Sequence, residues 1–303
     1  MNRPTAAVVG QLARDLVLTV PALPDGHAAA DATGRRELLG GKGANQAVAL
    51  AQLGVRPALV AVAGDDRTGD DLLAQARRDG IDTAAVVRRA GTPTGLIVEL
   101  LEDDATWRYV QHLPDAVLLT PDDVVRAAPV LRRSDAVLVQ LQQPADAALA
   151  AAEIAAGAGR LVVLDGAPPE DARDRLIAAA TVVRADEQET RLLLGDTGDT
   201  DDDVLAAATS LLDRGPGLLA LGRPGGNLFV WRGGHLMLPT DDDGVRDTTG
   251  GGDAFTAALT AALLRGDRPA DAARHAVAAS GSTVRHPGGR PGLAPLETGH
   301  RGN

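Results

Sequence analysis

The chain has no cysteine among its 303 residues, which removes disulfide scaffolds, thiol catalysis and cysteine-held metal centres from consideration. Aromatic residues make up only 2%, so the core has to be built from Ala, Val and Leu. No apolar run approaches the roughly eighteen residues of a membrane span. The opening stretch MNRPTAAVVGQLARD lacks the basic flank and apolar centre of a secretory signal, and a soluble, cytoplasmic protein is expected. Basic excess is missing too: a formal charge of −11 is the opposite of a nucleic-acid binder's footprint. Lysine is nearly absent, with Lys42 standing alone beside 29 arginines, and asparagine occurs four times. Where arginine serves for every other positive charge, a retained ammonium marks a position that uses a compact point charge rather than a planar fork.

What is present is a rhythm of short β-branched runs and Ala/Leu-rich stretches at helical spacing. Strands are expected over 5–9, 16–20, 58–63, 136–140, 161–165, 181–184 and 217–221. Helices are expected over 44–53, 70–79, 144–156, 171–179, 187–194, 204–213, 252–265 and 269–280. Wholly apolar strands separated by crossover helices predict an α/β fold, with a parallel-dominated central sheet covered by helices on both faces. One region departs from this rhythm. Alternating strands over 94–101 and 105–110, joined by Glu102-Asp103-Asp104, read as an antiparallel hairpin. With the segment from about 14 to 39 it forms a small sheet standing away from the main one. The acidic runs over 199–203 and 241–243 read as solvated loops.

Two glycine-rich turns carry the chemistry. Asp247-Thr248-Thr249-Gly250-Gly251-Gly252-Asp253 runs straight into a helix, so backbone N–H groups and the positive end of the helix dipole face whatever lies ahead. That is a site for an anion, most simply a phosphate. A carboxylate beside it, Asp253, either satisfies the same dipole or accepts a proton as a general base. The other turn, Gly40-Gly41-Lys42-Gly43-Ala44-Asn45-Gln46-Ala47, also opens a helix. Gly41 allows backbone approach, Lys42 is the retained ammonium, and Asn45 can both donate to and accept from hydroxyls. Together the turns point to a polar substrate delivered to a phosphate. The P-loop and dinucleotide fingerprints are missing, which sets aside a nicotinamide-dependent dehydrogenase.

At these two stretches the sequence resembles the ribokinase, or phosphofructokinase-B type, family of carbohydrate kinases, and most closely its ribokinase branch. GGKGANQA is similar to the family's N-terminal signature and DTTGGGDAF to its C-terminal one, with Gly251 where alanine is usual. The resemblance covers nearly the whole chain. It implies a single ribokinase-like domain over 1–303, with a discontinuous β-sheet lid from about 12–40 and 92–112. It also implies transfer of the ATP γ-phosphate to a hydroxyl of a small sugar, with ribose or a related pentose as the default. On that likeness Asp253 is the catalytic base, and the amides of Gly250, Gly251 and Gly252 form the anion hole. Asp15, Gly41, Lys42, Asn45 and Gln142 contact substrate. Asp186, Gly222, Gly225 and Gly252 lie on the nucleotide side. Glu189 serves Mg²⁺ through water. Asp247 and Thr249, with the loop over 285–292, match a monovalent cation site, often potassium. A homodimer joined through the lid is implied as well, with no nucleic-acid or membrane partner.

The departures from the pattern matter. The usual N-x-D reads Ala13-Arg14-Asp15, and Gln142 stands where ribokinases carry a glutamate. N-x-x-E reads Asp186-Glu187-Gln188-Glu189, Ala220 replaces a threonine, and Gly292 replaces a serine. They leave open a kinase for a nucleoside or a fructose-like sugar, and a non-catalytic sugar- or nucleotide-binding regulator.

Overall fold

The computed structural model describes residues 3–103, 106–195, 197, 200–240, 249–285 and 290–296. Along the chain run β1 (Thr5–Val9), β2 (Ala13–Val20), β3 (Gly34–Gly40), α1 (Lys42–Gln52), β4 (Arg56–Val60), β5 (Val62–Gly64), α2 (Arg67–Arg78), β6 (Val87–Arg89), β7 (Leu96–Glu102) and β8 (Trp107–His112). There follow α3 (Pro121–Arg133), β9 (Ala136–Gln140), α4 (Ala145–Gly157), β10 (Leu161–Asp165), α5 (Arg173–Ala179), β11 (Val182–Ala185), α6 (Glu187–Leu194) and α7 (Asp201–Leu212). The last elements are β12 (Leu218–Arg223), β13 (Gly226–Trp231), β14 (Gly234–Pro239), α8 (Gly251–Leu264) and α9 (Pro269–Thr283).

Period-two alternation sorts the main sheet into two cores. On β1, Ala6 and Val8 face the layer containing α1, α2, α8 and α9, while Ala7 and Val9 face the layer containing α3, α4, α5 and α7. All four are fully buried, as befits strands covered on both faces. The sheet order is β14-β13-β12-β11-β10-β9-β1-β4, with parallel pairing from β4 through to β12. The chain leaves β1 towards β4 on one side and later returns to β9 on the other. The strand order therefore reverses between β1 and β9, and a crevice opens there beyond the carboxyl ends of the strands. Alanine-rich helices such as α4 and α8 allow close approach with little aromatic bulk. The one stacked aromatic pair of the main core, Phe229 with Phe255, has ring centroids 5.6 Å apart.

The expected hairpin is present: β7 and β8 pair antiparallel, β2 joins β7 in parallel, and β3 pairs antiparallel with β2. This four-stranded sheet, order β3-β2-β7-β8, is separate from the main one. Three features depart from the expectation. The strand expected over 58–63 divides at Ala61: β4 stays in the main sheet, while β5 leaves it to pair with β6. Helix α3 is additional. So is the β13–β14 hairpin, whose antiparallel pairing continues the main sheet beyond β12. No helix among the described residues is long and apolar enough to cross a membrane. The acidic run over 241–243 lies outside the described residues, and residues 201–203 form the first turn of α7.

Candidate active site

Both glycine turns are shaped by what they must let past. At Gly40 an added Cβ would fall 1.9 Å from the Asp15 carboxyl, so the missing side chain is the space that carboxylate occupies. Gly41, with φ 85°, turns the chain into α1. At the other turn Gly250 takes a left-handed conformation, φ 73° and ψ −7°, immediately ahead of α8. Neither helix has a side chain capping its N-terminus, so first-turn amides and the helix dipole remain available to a ligand.

The heads of α1 and α8 meet through side chains far apart in sequence. Asn45 Nδ2 donates to Asp253 Oδ2 at 3.2 Å. Gln46 Nε2 bridges Asp165 Oδ2 at 2.7 Å and Asp253 Oδ1 at 3.3 Å. Thr256, one helical turn beyond Asp253, donates to Asp165 at 3.2 Å. Asp253 is buried, and desolvation, followed by the neighbouring Asp165 charge, pushes its carboxyl up to about 7. Lys42, Asn45 and Gln46 act against that rise. Burial and the charge of Asp253 push Asp15 up to about 7 as well, opposed by a hydrogen bond from the Gly41 amide. Asp15 Oδ1, Asn45 Oδ1 and Gln46 Oε1 are buried and accept no hydrogen bond among the described residues. Buried acceptors without donors are costly. Asp15 and Asn45 line the cleft, where ligand hydroxyls would supply those donors.

Beside α8 lies Arg184, which the sequence did not single out. Arg184, at the end of β11, is in register with Asp165 on β10 and donates to it through Nη1 at 3.1 Å. Glu189 lies 3.7 Å from the same nitrogen, and the guanidinium sits 5.8 Å above the Phe255 ring centroid. Burial works against the Arg184 charge, but Asp165, Glu189 and Asp186 outweigh it and hold the group firmly protonated. Asp186 and Glu189 form a reciprocal capping box on α6, each side chain accepting the other's backbone N–H at 2.8 Å. An aspartate at 186 thus has a local structural reason. Desolvation raises the Glu189 carboxyl above its ordinary value.

A cleft of about 730 Å³ joins these groups. Of the residues singled out from the sequence, Asp15, Gly41, Lys42, Asn45, Gln142, Asp186, Thr249, Gly250, Gly252 and Asp253 line it. Four others are not among its lining residues. Gly251 faces α9, where a Cβ would meet Val284 Cγ1 at 2.7 Å, so its bareness serves helix packing. Gly222 lies within β12, against the backbone of Asp186 and Glu187, and Gly225 forms the β12–β13 turn with φ 72°. Glu189 stands behind Arg184. Asp247 lies outside the described residues, as does much of the 285–292 loop. No group of three or more acidic or His side chains suited to a metal occurs among the described residues. Asp165, at the carboxyl end of an apolar strand where such a sheet binds ligands, was legible from the sequence and lines the cleft; Gln46 and Arg184 were not, nor were Glu99, Trp107, Tyr109 and Gln111 on the cleft face of the small sheet.

A parallel sheet with this crevice, a glycine-headed helix and a buried carboxylate at its first turn defines a small-molecule kinase. The pattern of the pfkB family carbohydrate kinases matches residues 3–295, and the chain belongs to that family. It is 28% identical over 300 residues to the ribokinase of Haemophilus influenzae, covering 96% of this chain and 95% of the relative. It is 29% identical over 252 residues to a deoxyribokinase of Salmonella typhi, covering 82% of each. The structure of Arabidopsis thaliana ribokinase complexed with ribose and ATP superimposes with a TM-score of 0.79 at 25% identity, covering 97% of this chain and 96% of that one.

Proposed function

We propose that the protein transfers the γ-phosphate of ATP to a hydroxyl of a small sugar, with ribose as the first acceptor to test. The observation that carries this reading is the joining of the two glycine turns: Asn45, on the helix opened by the Lys42 turn, holds the carboxylate that heads α8. Asp253 takes the proton of the acceptor hydroxyl, whose oxygen attacks the γ-phosphorus as the bond to the β–γ bridging oxygen breaks and ADP leaves. A positioned base contributes about 10²–10⁴ in rate. The amides of Gly250, Gly251 and Gly252 face the charge spreading over the transferred group, and preorganised donors of this kind are each worth about 10²–10³. Asp15, Gly41, Lys42, Asn45 and Gln142 hold the acceptor. Asp186, Gly222, Gly225 and Gly252 flank the nucleotide, and a side chain at 252 would meet Arg184 Nη2 at 2.9 Å.

Bound together with ATP, Mg²⁺ would supply charge neutralisation at the phosphates. The chain offers no cage of its own among the described residues, which fits a hydrated ion held mainly by phosphate oxygens; Glu189, behind Arg184, would serve it only through water. Thr249, with Asp247, is assigned to a potassium ion. The small sheet acts as a lid over 12–40 and 92–112 within one kinase domain, excluding the water that competes as acceptor.

A second acceptor class is favoured by one observation. Trp107 and Tyr109 stack with centroids 5.3 Å apart on the cleft side of the lid, in a chain with only five aromatic residues. An acceptor carrying a planar ring, such as a nucleoside, can lie against that pair. Incubating protein, ATP, Mg²⁺ and K⁺ with a panel of pentoses, hexoses and nucleosides, with mass spectrometry of the products, tests both readings. ADP formation with a phosphorylated acceptor is expected. Binding by calorimetry without ADP formation from any acceptor would instead establish a non-catalytic binding protein.

A further inference from the structure

The cleft carries far more negative than positive charge. Asp15, Glu99, Asp165, Asp186 and Asp253 all line it, and among the described residues its only lining cations are Lys42 and Arg184. A nucleoside triphosphate brings several further negative charges. Lys42 stands at the head of α1, on the acceptor side. Arg184 is the cation beside the head of α8, where the transferred phosphate would sit.

The geometry of Arg184 divides its guanidinium into a fixed edge and a free one. Nη1 is held by Asp165 at 3.1 Å, with Glu189 at 3.7 Å, and the plane rests over Phe255. Nη2 makes no hydrogen bond among the described residues. It lies where a side chain at Gly252 would meet it at 2.9 Å, against the backbone assigned to the anion hole. Arginine presents several donors in a rigid fork and keeps its charge when partly buried, and a charge-assisted contact to a phosphoryl oxygen is stronger than a neutral one.

We propose that Arg184 is a catalytic residue: its Nη2 edge contacts the oxygens of the transferring phosphoryl group at the head of α8, while Asp165 fixes the Nη1 edge. This inference rests on the kinase reading and adds to it a side-chain cation that strengthens its hold as charge develops on the phosphoryl group. The competing role is purely structural, with Arg184 serving only to neutralise Asp165.

The test uses the full-length protein and three variants, R184M, R184Q and the double variant D165N/R184M. Steady-state turnover is measured with the best acceptor of the panel, and binding of Mg²⁺-ATP and Mg²⁺-ADP is measured by calorimetry. R184M is expected to lose about 10²–10³ in kcat, to weaken Mg²⁺-ATP binding more than Mg²⁺-ADP binding, and to keep the acceptor KM within about threefold. The double variant remains as slow as R184M, because restoring charge balance at Asp165 does not restore the phosphate contact. R184Q keeps a hydrogen-bonding group towards Asp165 and answers the same question if R184M fails to fold. Turnover of R184M or R184Q within about threefold of wild type overturns the proposal, as does recovery of wild-type turnover in the double variant. A wild-type chain that neither binds ATP nor forms ADP overturns the kinase reading itself, an outcome separate from wild-type turnover that the Arg184 variants leave unchanged.

Discussion

Asp253, the proposed base, combines two properties that oppose each other elsewhere: it is buried, and it has to be ionised to accept a proton. Its raised pKa of about 7 puts it where proton transfer is most effective near neutral pH. Activity is therefore expected to fall about tenfold per unit below pH 7, read as the acidic limb of kcat/KM against pH. Because the Asp165 charge is one cause of the rise, Asp165→Asn shifts that limb to lower pH. Asp253→Asn keeps ATP binding and loses at least about a hundredfold in turnover, as measured by ADP release; near-normal turnover would exclude Asp253 as the base. The same shift has a consequence for stability. A carboxyl whose folded pKa lies above its unfolded value favours the folded state most at low pH, and that benefit is lost as pH rises through the folded value. In the unliganded protein the thermal midpoint of Asp253→Asn, relative to wild type, is thus higher at pH 8 than at pH 5.5. At this scale the sequence was legible where glycine marked the place. Asp253, Lys42 and Asn45 stood beside backbone that had to be bare. Asp165 was marked only by its place at the carboxyl end of an apolar strand, and Arg184 and Gln46 carried no comparable mark, because their meeting with it depends on the register of β10 with β11 and on helices whose contacting residues lie 207 positions apart. Arg184 left one trace, a charge at the end of an otherwise apolar strand.

Helices and strands were readable in proportion to how local their causes are. Strands β9 and β10 and helix α6 fall where their apolar runs begin and end. Helix α3 had a legible start, with Thr120 and Asp123 forming a capping box and Pro121 in the first turn. Pro129 inside it argues the other way, since a proline removes one backbone hydrogen bond and crowds the carbonyl four residues earlier. That residue is Val125, which is exposed, so water can satisfy its carbonyl. The β13–β14 hairpin was hidden by the parallel rhythm before it. The junction of α1 with the end of β1 makes a firmer prediction. A Cβ at Gly43 would lie 2.7 Å from the Gly10 carbonyl carbon and 2.8 Å from its Cα, and backbone cannot step aside as a side chain does. Gly43→Ala is expected to cost about 1–3 kcal/mol, seen as a lower urea midpoint, and to weaken acceptor binding by displacing α1.

At the scale of the molecule, the small sheet leaves one strand with little cover. All six residues of β8 are exposed, Val110 the most among its large apolar side chains at 69%, and a bare edge strand of this kind tends to pair with another chain. We expect two copies to associate through their lids, giving a dimer by sedimentation at micromolar concentration that Val110→Asp shifts towards monomer. A wild-type monomer under those conditions would contradict this. From the sequence this expectation rested on flap residues too apolar for an isolated lid in water, Leu96, Ile97, Val98, Leu100 and Val110, as well as on the family resemblance.

The bond from Asn45 to Asp253 spans 208 positions, which bears on how the protein is made. While the chain is being synthesised, α1 emerges long before α8 exists, and its buried amides at 45 and 46 have no carboxylate to meet. On the proposed mechanism, a chain not yet extended to α8 lacks the base and transfers no phosphate. On that mechanism phosphoryl transfer begins only when the last quarter of the polypeptide folds back onto the first.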